Sequence, residues 1–180
     1  MALRLDTWVD KAAPWAKQAL RAVLDPRGGC YAWAGGKGSG KSATVVAACV
    51  AVSQARPGAE ILLSMDCAKS LRDIHLPMLQ QLGRSVGGVW RPGDAEMIFG
   101  NGSIIRTRHL DMVGDPGLGG SPVEGGNYHL VAMDEGQQVD PRYWVVFRER
   151  ARVVVRDAAG QECAPVIVTS GLPVSTWWCL

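Results

Sequence analysis

Cysteine is scarce and shows no pairing pattern. The five residues, Cys30, Cys49, Cys67, Cys163 and Cys179, are odd in number and include no CxxC spacing. That argues against a disulfide scaffold and fits thiols that fill a core in a reducing compartment. Met1-Ala2-Leu3-Arg4-Leu5-Asp6 has no apolar signal region. The three histidines, His75, His109 and His129, share no metal-ligand spacing, which argues against zinc. The longest apolar run, Val45 to Val52, is eight residues, against the roughly 20 that a membrane span requires. Internal repeats are missing. Net charge is small as well: 19 basic residues against 17 acidic ones leave +2, too little to mark a polyanionic partner.

What is present describes one globular domain with room for one sizeable core: 180 residues, 47% hydrophobic and 20% charged. Of the 19 bases, 14 are arginine, a side chain suited to bidentate phosphate contacts. Arg142, Arg148, Arg150, Arg152 and Arg156 fall within fifteen residues. They read equally well as a solvated helix face or as a phosphate-binding cluster.

Periodicity orders the chain. Trp8, Ala12, Trp15, Ala19 and Val23 lie at helical spacing, predicting an amphipathic helix over 7–24 that ends at Asp25-Pro26-Arg27-Gly28-Gly29. A short buried strand is expected over 30–34 and a buried helix over 41–54. A turn at Pro57-Gly58, a strand over 60–65 and a second helix over 68–82 follow. Residues 95–108 predict a β-hairpin turned at Asn101-Gly102. Residues 112–127 form a Gly-rich loop, and loops of that length are usually functional or mobile. A strand over 128–133 ends in Asp134-Glu135. A helix over 140–152 is N-capped by Asp140 with Pro141 at its first position, and a last strand covers 166–169. Strands alternating with helices predict an α/β domain with a mostly parallel central sheet, helices on both faces and an inserted β-hairpin.

Two motifs carry chemistry. Gly35-Gly36-Lys37-Gly38-Ser39-Gly40-Lys41-Ser42 matches G-x-x-x-x-G-K-[ST] in full, between an apolar strand and an apolar helix. Its glycines let backbone N–H groups converge on one phosphate, and the helix dipole adds to the attraction. Lys41 is expected to reach the β- and γ-phosphates, and the Ser42 hydroxyl to ligate Mg²⁺. Leu130-Val131-Ala132-Met133-Asp134-Glu135 supplies the second motif. Asp134, at the end of an apolar strand, suits Mg²⁺ held through water, and Glu135 suits a base that orients or deprotonates an attacking water. The pair favours hydrolysis of ATP over a switch or a kinase. Thr169 and Ser170, at the end of the last strand, read either as γ-phosphate sensors or as an ordinary strand exit.

Together these residues resemble the ATPase domain of the phage terminase large subunit, a DNA-packaging motor of the P-loop NTPase fold (ASCE type). The resemblance rests on GGKGSGKS with Lys37 inside the loop, on Ile98-Phe99-Gly100-Asn101-Gly102-Ser103-Ile104-Ile105, and on Met133-Asp134-Glu135. Phe147-Arg148-Glu149-Arg150-Ala151-Arg152 and Thr169-Ser170-Gly171-Leu172-Pro173 with Trp177 extend it, in order, from about residue 30 to residue 178. It implies that residues 1–29 are a helical lead-in and 30–178 the core of a single domain. It further implies that Lys41, Ser42 and Asp134 bind MgATP, that Glu135 is the catalytic carboxylate, and that Lys37 contacts phosphate or stabilises transition-state charge. Thr169 and Ser170 would couple hydrolysis to movement. Implied partners are double-stranded DNA, the portal protein and the small terminase subunit, in a homo-oligomeric ring with a monomer when alone. The implied setting is the host cytoplasm, with no membrane.

Three departures accompany the resemblance. Gly171-Leu172 replaces the family's Asn-Pro. Gly117-Leu118-Gly119-Gly120 lacks the arginine finger of many members, leaving Arg148, Arg150 and Arg152 as candidates. The C-terminal nuclease of terminases is missing before Leu180, so no nuclease activity is expected. Two other readings compete: a small-molecule P-loop kinase, with the arginine cluster as its lid, and a nucleotide-binding assembly module without turnover of its own.

Overall fold

The computed structural model describes residues 5–110 and 126–172. The base-free stretch Gly117–Gly120, nearly all of the Gly-rich loop, Pro173, Trp177 and Cys179 lie outside the described residues. Within them, seven strands form one sheet in the order β1-β9-β6-β2-β5-β4-β3. β1 (Gly29–Ala34), β2 (Glu60–Met65), β5 (Ile104–His109), β6 (Leu130–Met133) and β9 (Val166–Gly171) run parallel. β4 (Glu96–Ile98) pairs antiparallel with β5, and β3 (Val89–Arg91) pairs antiparallel with β4 at the end of the sheet.

Alternation along the central strands separates two cores, as a sheet covered on both faces requires. Ile61, Leu63, Leu130, Ala132, Val166 and Val168 pack on one face against α3 (Lys41–Ala55) and α5 (Leu76–Ser85). Leu62, Val131 and Met133 pack on the other against Tyr143 and Phe147 of α6 (Arg142–Arg150). α3 has almost no polar side, because ten of its fifteen residues are buried between the sheet, α2 (Pro14–Leu24) and α5.

Several boundaries differ from the periodicity. The first predicted helix is two, α1 (Leu5–Lys11) and α2, because Pro14 cannot donate a helical hydrogen bond and starts a new first turn. β1 is not buried: it lies at the sheet margin and alternate residues face solvent. The predicted helix over 68–82 continues to Ser85 and contains a π-helical stretch, Leu71–His75, between α4 (Ala68–Ser70) and α5. Pro77, two residues beyond that stretch, has no N–H to offer an i−4 carbonyl, which favours the wider turn there. α6 begins at Arg142. The Asp140 carboxylate accepts the Arg142 N–H at 2.9 Å and so still caps its entry. β9 runs two residues further than expected and so includes Ser170 and Gly171. A small ribbon of β7 (Val155–Arg156) and β8 (Glu162–Cys163) escaped the periodicity, being only two residues a side.

Candidate nucleotide site

The glycine loop links the end of β1 to the start of α3. Gly38 (φ +75°) and Gly40 (φ +85°) have left-handed backbone, which a side chain would strain, and a Cβ on Gly36, Gly38 or Gly40 would point into open space. Gly40 caps α3 with no side-chain bond, so the first-turn N–H groups face outward. Lys41, 6% exposed, donates Nζ to the carbonyls of Gly35 (2.7 Å) and Gly36 (2.9 Å). Lys37 is exposed on the loop. The start of the loop is tied to the sheet by the Gly35 N–H, which donates to the Gly171 carbonyl at 3.2 Å.

β9 lies between β1 and β6, pairing Ala32 with Thr169 on one side and Met133 with Thr169 on the other. Asp134, completely buried, therefore comes next to the loop. Its Oδ1 accepts the Ser170 hydroxyl, its Oδ2 meets His75 Nε2 at 2.8 Å, and the Ser42 hydroxyl also bonds to it. Burial pushes the carboxyl up, but the bonds from His75, Ser170 and Ser42 outweigh it and hold the group below the ordinary carboxylate value. An ionised carboxylate in contact with the Ser42 hydroxyl is a hard-oxygen set that fits a hydrated Mg²⁺.

Glu135 is half-buried and has φ +53° and ψ +40°, a left-handed conformation costly for a residue with a side chain. A 3₁₀ turn, Gly136–Gln138, begins on its carbonyl: the Gln138 N–H donates to Glu135 O at 2.8 Å. The Glu135 carboxylate accepts from the Gln137 amide. Lys37, Lys41, Ser42 and Glu135 line one cavity of about 530 Å³, walled on its apolar side by Ile74 and Met78. A second, smaller cavity of about 190 Å³ opens beside Ser39, Gly40, Ala43 and Thr44, with Trp8 and Trp15 on its other side.

The structure thus brings the loop residues, Asp134 and Glu135 together. Ser170 contacts Asp134, whereas the buried Thr169 hydroxyl has no hydrogen-bond partner. The arginines do not join this group. The Tyr128 N–H donates to the Arg150 carbonyl and the Arg152 N–H to the Tyr128 carbonyl, at the start of β6. Six residues of extended chain, roughly 20 Å, separate that end from Asp134. Arg148 and Arg152 are exposed there. His75 and Gln137 were not foreseen. His75 reaches Asp134 only through the π-helical stretch, which no sequence pattern announced, and Gln137 follows a turn whose left-handed first residue is not a glycine.

A strand, a glycine loop and a helix, with an acidic strand one position beyond the neighbouring strand, make this a P-loop NTPase fold with its additional central strand. Among solved structures the likeness is to phage large terminases. The large terminase of bacteriophage HK97 matches with a TM-score of 0.62 at 13% identity, over 95% of this chain and 38% of that one. The Thermus phage P74-26 large terminase ATPase domain matches with a TM-score of 0.65 at 14% identity, over 96% of this chain and 71% of that one. The large terminase of the thermophilic bacteriophage D6E in complex with ADP matches with a TM-score of 0.58 at 13% identity, over 93% and 37%. The chain therefore spans well under half the length of the HK97 and D6E chains it matches. No family model and no curated protein matches it. Among the described residues, no helix is long and apolar enough to cross a membrane.

Proposed function

We propose that this chain is an ATPase domain that hydrolyses MgATP to drive packaging of double-stranded DNA, acting with a portal protein and a small terminase subunit in a homo-oligomeric ring. The observation that carries the reading is that the glycine loop and Glu135 line one cavity, with the buried Asp134 bonded to Ser42 of its wall. In it the loop and α3 N–H groups receive the phosphates, and Lys41 leaves the loop carbonyls for the β- and γ-oxygens. Ser42 and Asp134 hold Mg²⁺, which neutralises phosphate charge when bound. Glu135 orients and deprotonates the attacking water, and Lys37 at the cavity rim meets charge that develops on the γ-phosphate. Ser170, through Asp134, and Thr169 report the change to β9. The base enters the cavity between Trp8, Trp15 and the first turn of α3, an apolar place beside the loop.

Arg148, Arg150 and Arg152 lie too far from their own loop to act on the same nucleotide. Their place in this reading is a neighbouring subunit's site or a phosphate backbone. The same distance removes support from a kinase lid built on this cluster.

Glu135→Gln tests the reading. It should bind MgATP within about threefold of the parent and lose turnover by at least about a hundredfold, the range of a missing general base. Phosphate release that survives the change overturns the catalytic assignment. ATP hydrolysis that DNA and portal never stimulate overturns the motor.

A further inference from the structure

One peptide group connects the two halves of this site. Its carbonyl, that of Gly171, accepts the Gly35 N–H at the start of the phosphate loop (3.2 Å). Its N–H, that of Leu172, donates to Gln137 Oε1 at 3.3 Å. The other end of the Gln137 amide, Nε2, donates to Glu135 Oε2 at 2.5 Å. A continuous chain of hydrogen bonds therefore runs from the loop, through the exit of β9, to the Glu135 carboxylate. The amide orientation is set by its neighbours: the Leu172 N–H needs an acceptor and the carboxylate needs a donor, so each end of Gln137 has one arrangement.

The chain also accounts for the backbone at Glu135. A glutamate at φ +53° persists only where its surroundings over-determine it. Here the 3₁₀ turn fixes the main chain, and the Gln137 amide, two residues on, holds the carboxylate.

We propose that Gln137 is a positioning residue that sets the Glu135 carboxylate and ties its position to the Gly171–Leu172 peptide, so that the phosphate loop and the catalytic base move as one unit. The inference rests on the reading of Glu135 as the catalytic carboxylate. A shift of the loop on phosphate binding pulls on the Gly171 carbonyl, turns that peptide, and re-aims Glu135 through the amide. The relay works without Gln137 touching the nucleotide.

Two substitutions separate its halves. Gln137→Ala removes both bonds. Gln137→Glu keeps an acceptor for the Leu172 N–H but has no donor for Glu135. Both variants should lose about tenfold or more in kcat, with MgATP affinity within about threefold, the signature of a group that acts on the chemical step alone. Hydrogen exchange of the Leu172 amide, read in ¹⁵N-leucine-labelled protein with MgADP bound, should quicken by about tenfold in Gln137→Ala and stay at the parental rate in Gln137→Glu. Parental kcat in either variant overturns the inference, as does Leu172 exchange that is unchanged in Gln137→Ala. The labelled-amide readout stands whatever the activity of the variants. The Glu135→Gln protein separates the two levels: if it still turns over, the catalytic reading fails; if it is inactive while Gln137→Ala is not, only the relay fails.

Discussion

Asp134 serves three elements at once: the first turn of α3 through Ser42, the end of β9 through Ser170, and the π-helical stretch through His75. A fully buried carboxylate is costly unless its lone pairs are taken up, and here donors fill both oxygens. His75 is itself oriented from behind, its Nδ1 meeting the Ser70 carbonyl at 3.2 Å. Partners of this kind typically change metal affinity by 10–100-fold when removed. His75→Ala should therefore raise the Mg²⁺ midpoint, followed with a fluorescent ATP analogue, by about tenfold. Binding of the analogue in EDTA should stay as it is, and His75→Gln, which keeps a donor, should recover part of the loss. An unchanged Mg²⁺ midpoint in His75→Ala would make the contact purely structural.

Among the elements, two corners bear on the site. The α1–α2 corner exists because Pro14 interrupts a helix, and the interruption brings Trp8 and Trp15 to one cavity beside Ser39 and Ala43. Stacking of a base on an aromatic ring is worth about 1–3 kcal/mol by alanine substitution. Trp15→Ala should weaken MgATP binding about tenfold, within that range, yet leave affinity for magnesium tripolyphosphate, which has no base, unaltered. Equal losses for both ligands would remove the base from this cavity. The second corner is the β4–β5 hairpin. Asn101 Oδ1 accepts the Ser103 N–H at 3.1 Å, and its Nδ2 donates to the Ser53 carbonyl, near the end of α3, at 2.7 Å. The hairpin tip thus pins the helix that follows the phosphate loop. Asn101→Ala should cost about 1–2 kcal/mol in urea unfolding, as a buried carbonyl loses its donor.

At the scale of the whole molecule, the parallel sheet, the two-sided burial and the loop-to-carboxylate convergence were legible. Each rests on a local signal: apolar strands alternating with helical segments, the full loop motif, and an apolar run ending in Asp-Glu. The hairpin was legible from Asn101-Gly102, but the turn is centred one residue earlier: the Gly102 N–H donates to the Phe99 carbonyl across Gly100-Asn101, and Gly102 at φ +85° takes the left-handed position that follows. What stayed hidden depends on contacts far apart in sequence. The marginal position of β1 is a matter of strand order, which an apolar pentapeptide does not encode. The Asp134–His75 contact spans 59 residues and the Gln137–Leu172 contact 35.

The buried Arg56–His129 pair was hidden likewise. Arg56, 1% exposed, donates to the Val23 and Asp25 carbonyls at 3.1 Å each and contacts His129 Nε2, joining α2, α3 and the start of β6. Burial, and the charge of Arg56, push the His129 imidazole down to about 4 from 6.5, partly opposed by its bond to the Val153 carbonyl. Its neutral form is the one the fold accepts. The unfolded chain takes up this proton first, so the stabilisation is complete above pH 6.5 and disappears as pH falls from there towards 4. Linkage puts the loss on the order of 3 kcal/mol. Urea midpoints should drop across that window, and His129→Gln should flatten the drop.

β1 offers a last consequence, a mechanical one. Among the described residues this strand has a ladder on one flank only, its six-residue register with β9. Tension directed along β1 loads all of those bonds together, as in shear. Tension directed across it opens them singly, as in unzipping. The strand that carries the glycine loop is therefore stiff in one direction and yielding in another, and the direction of an applied load decides which of the two the loop feels.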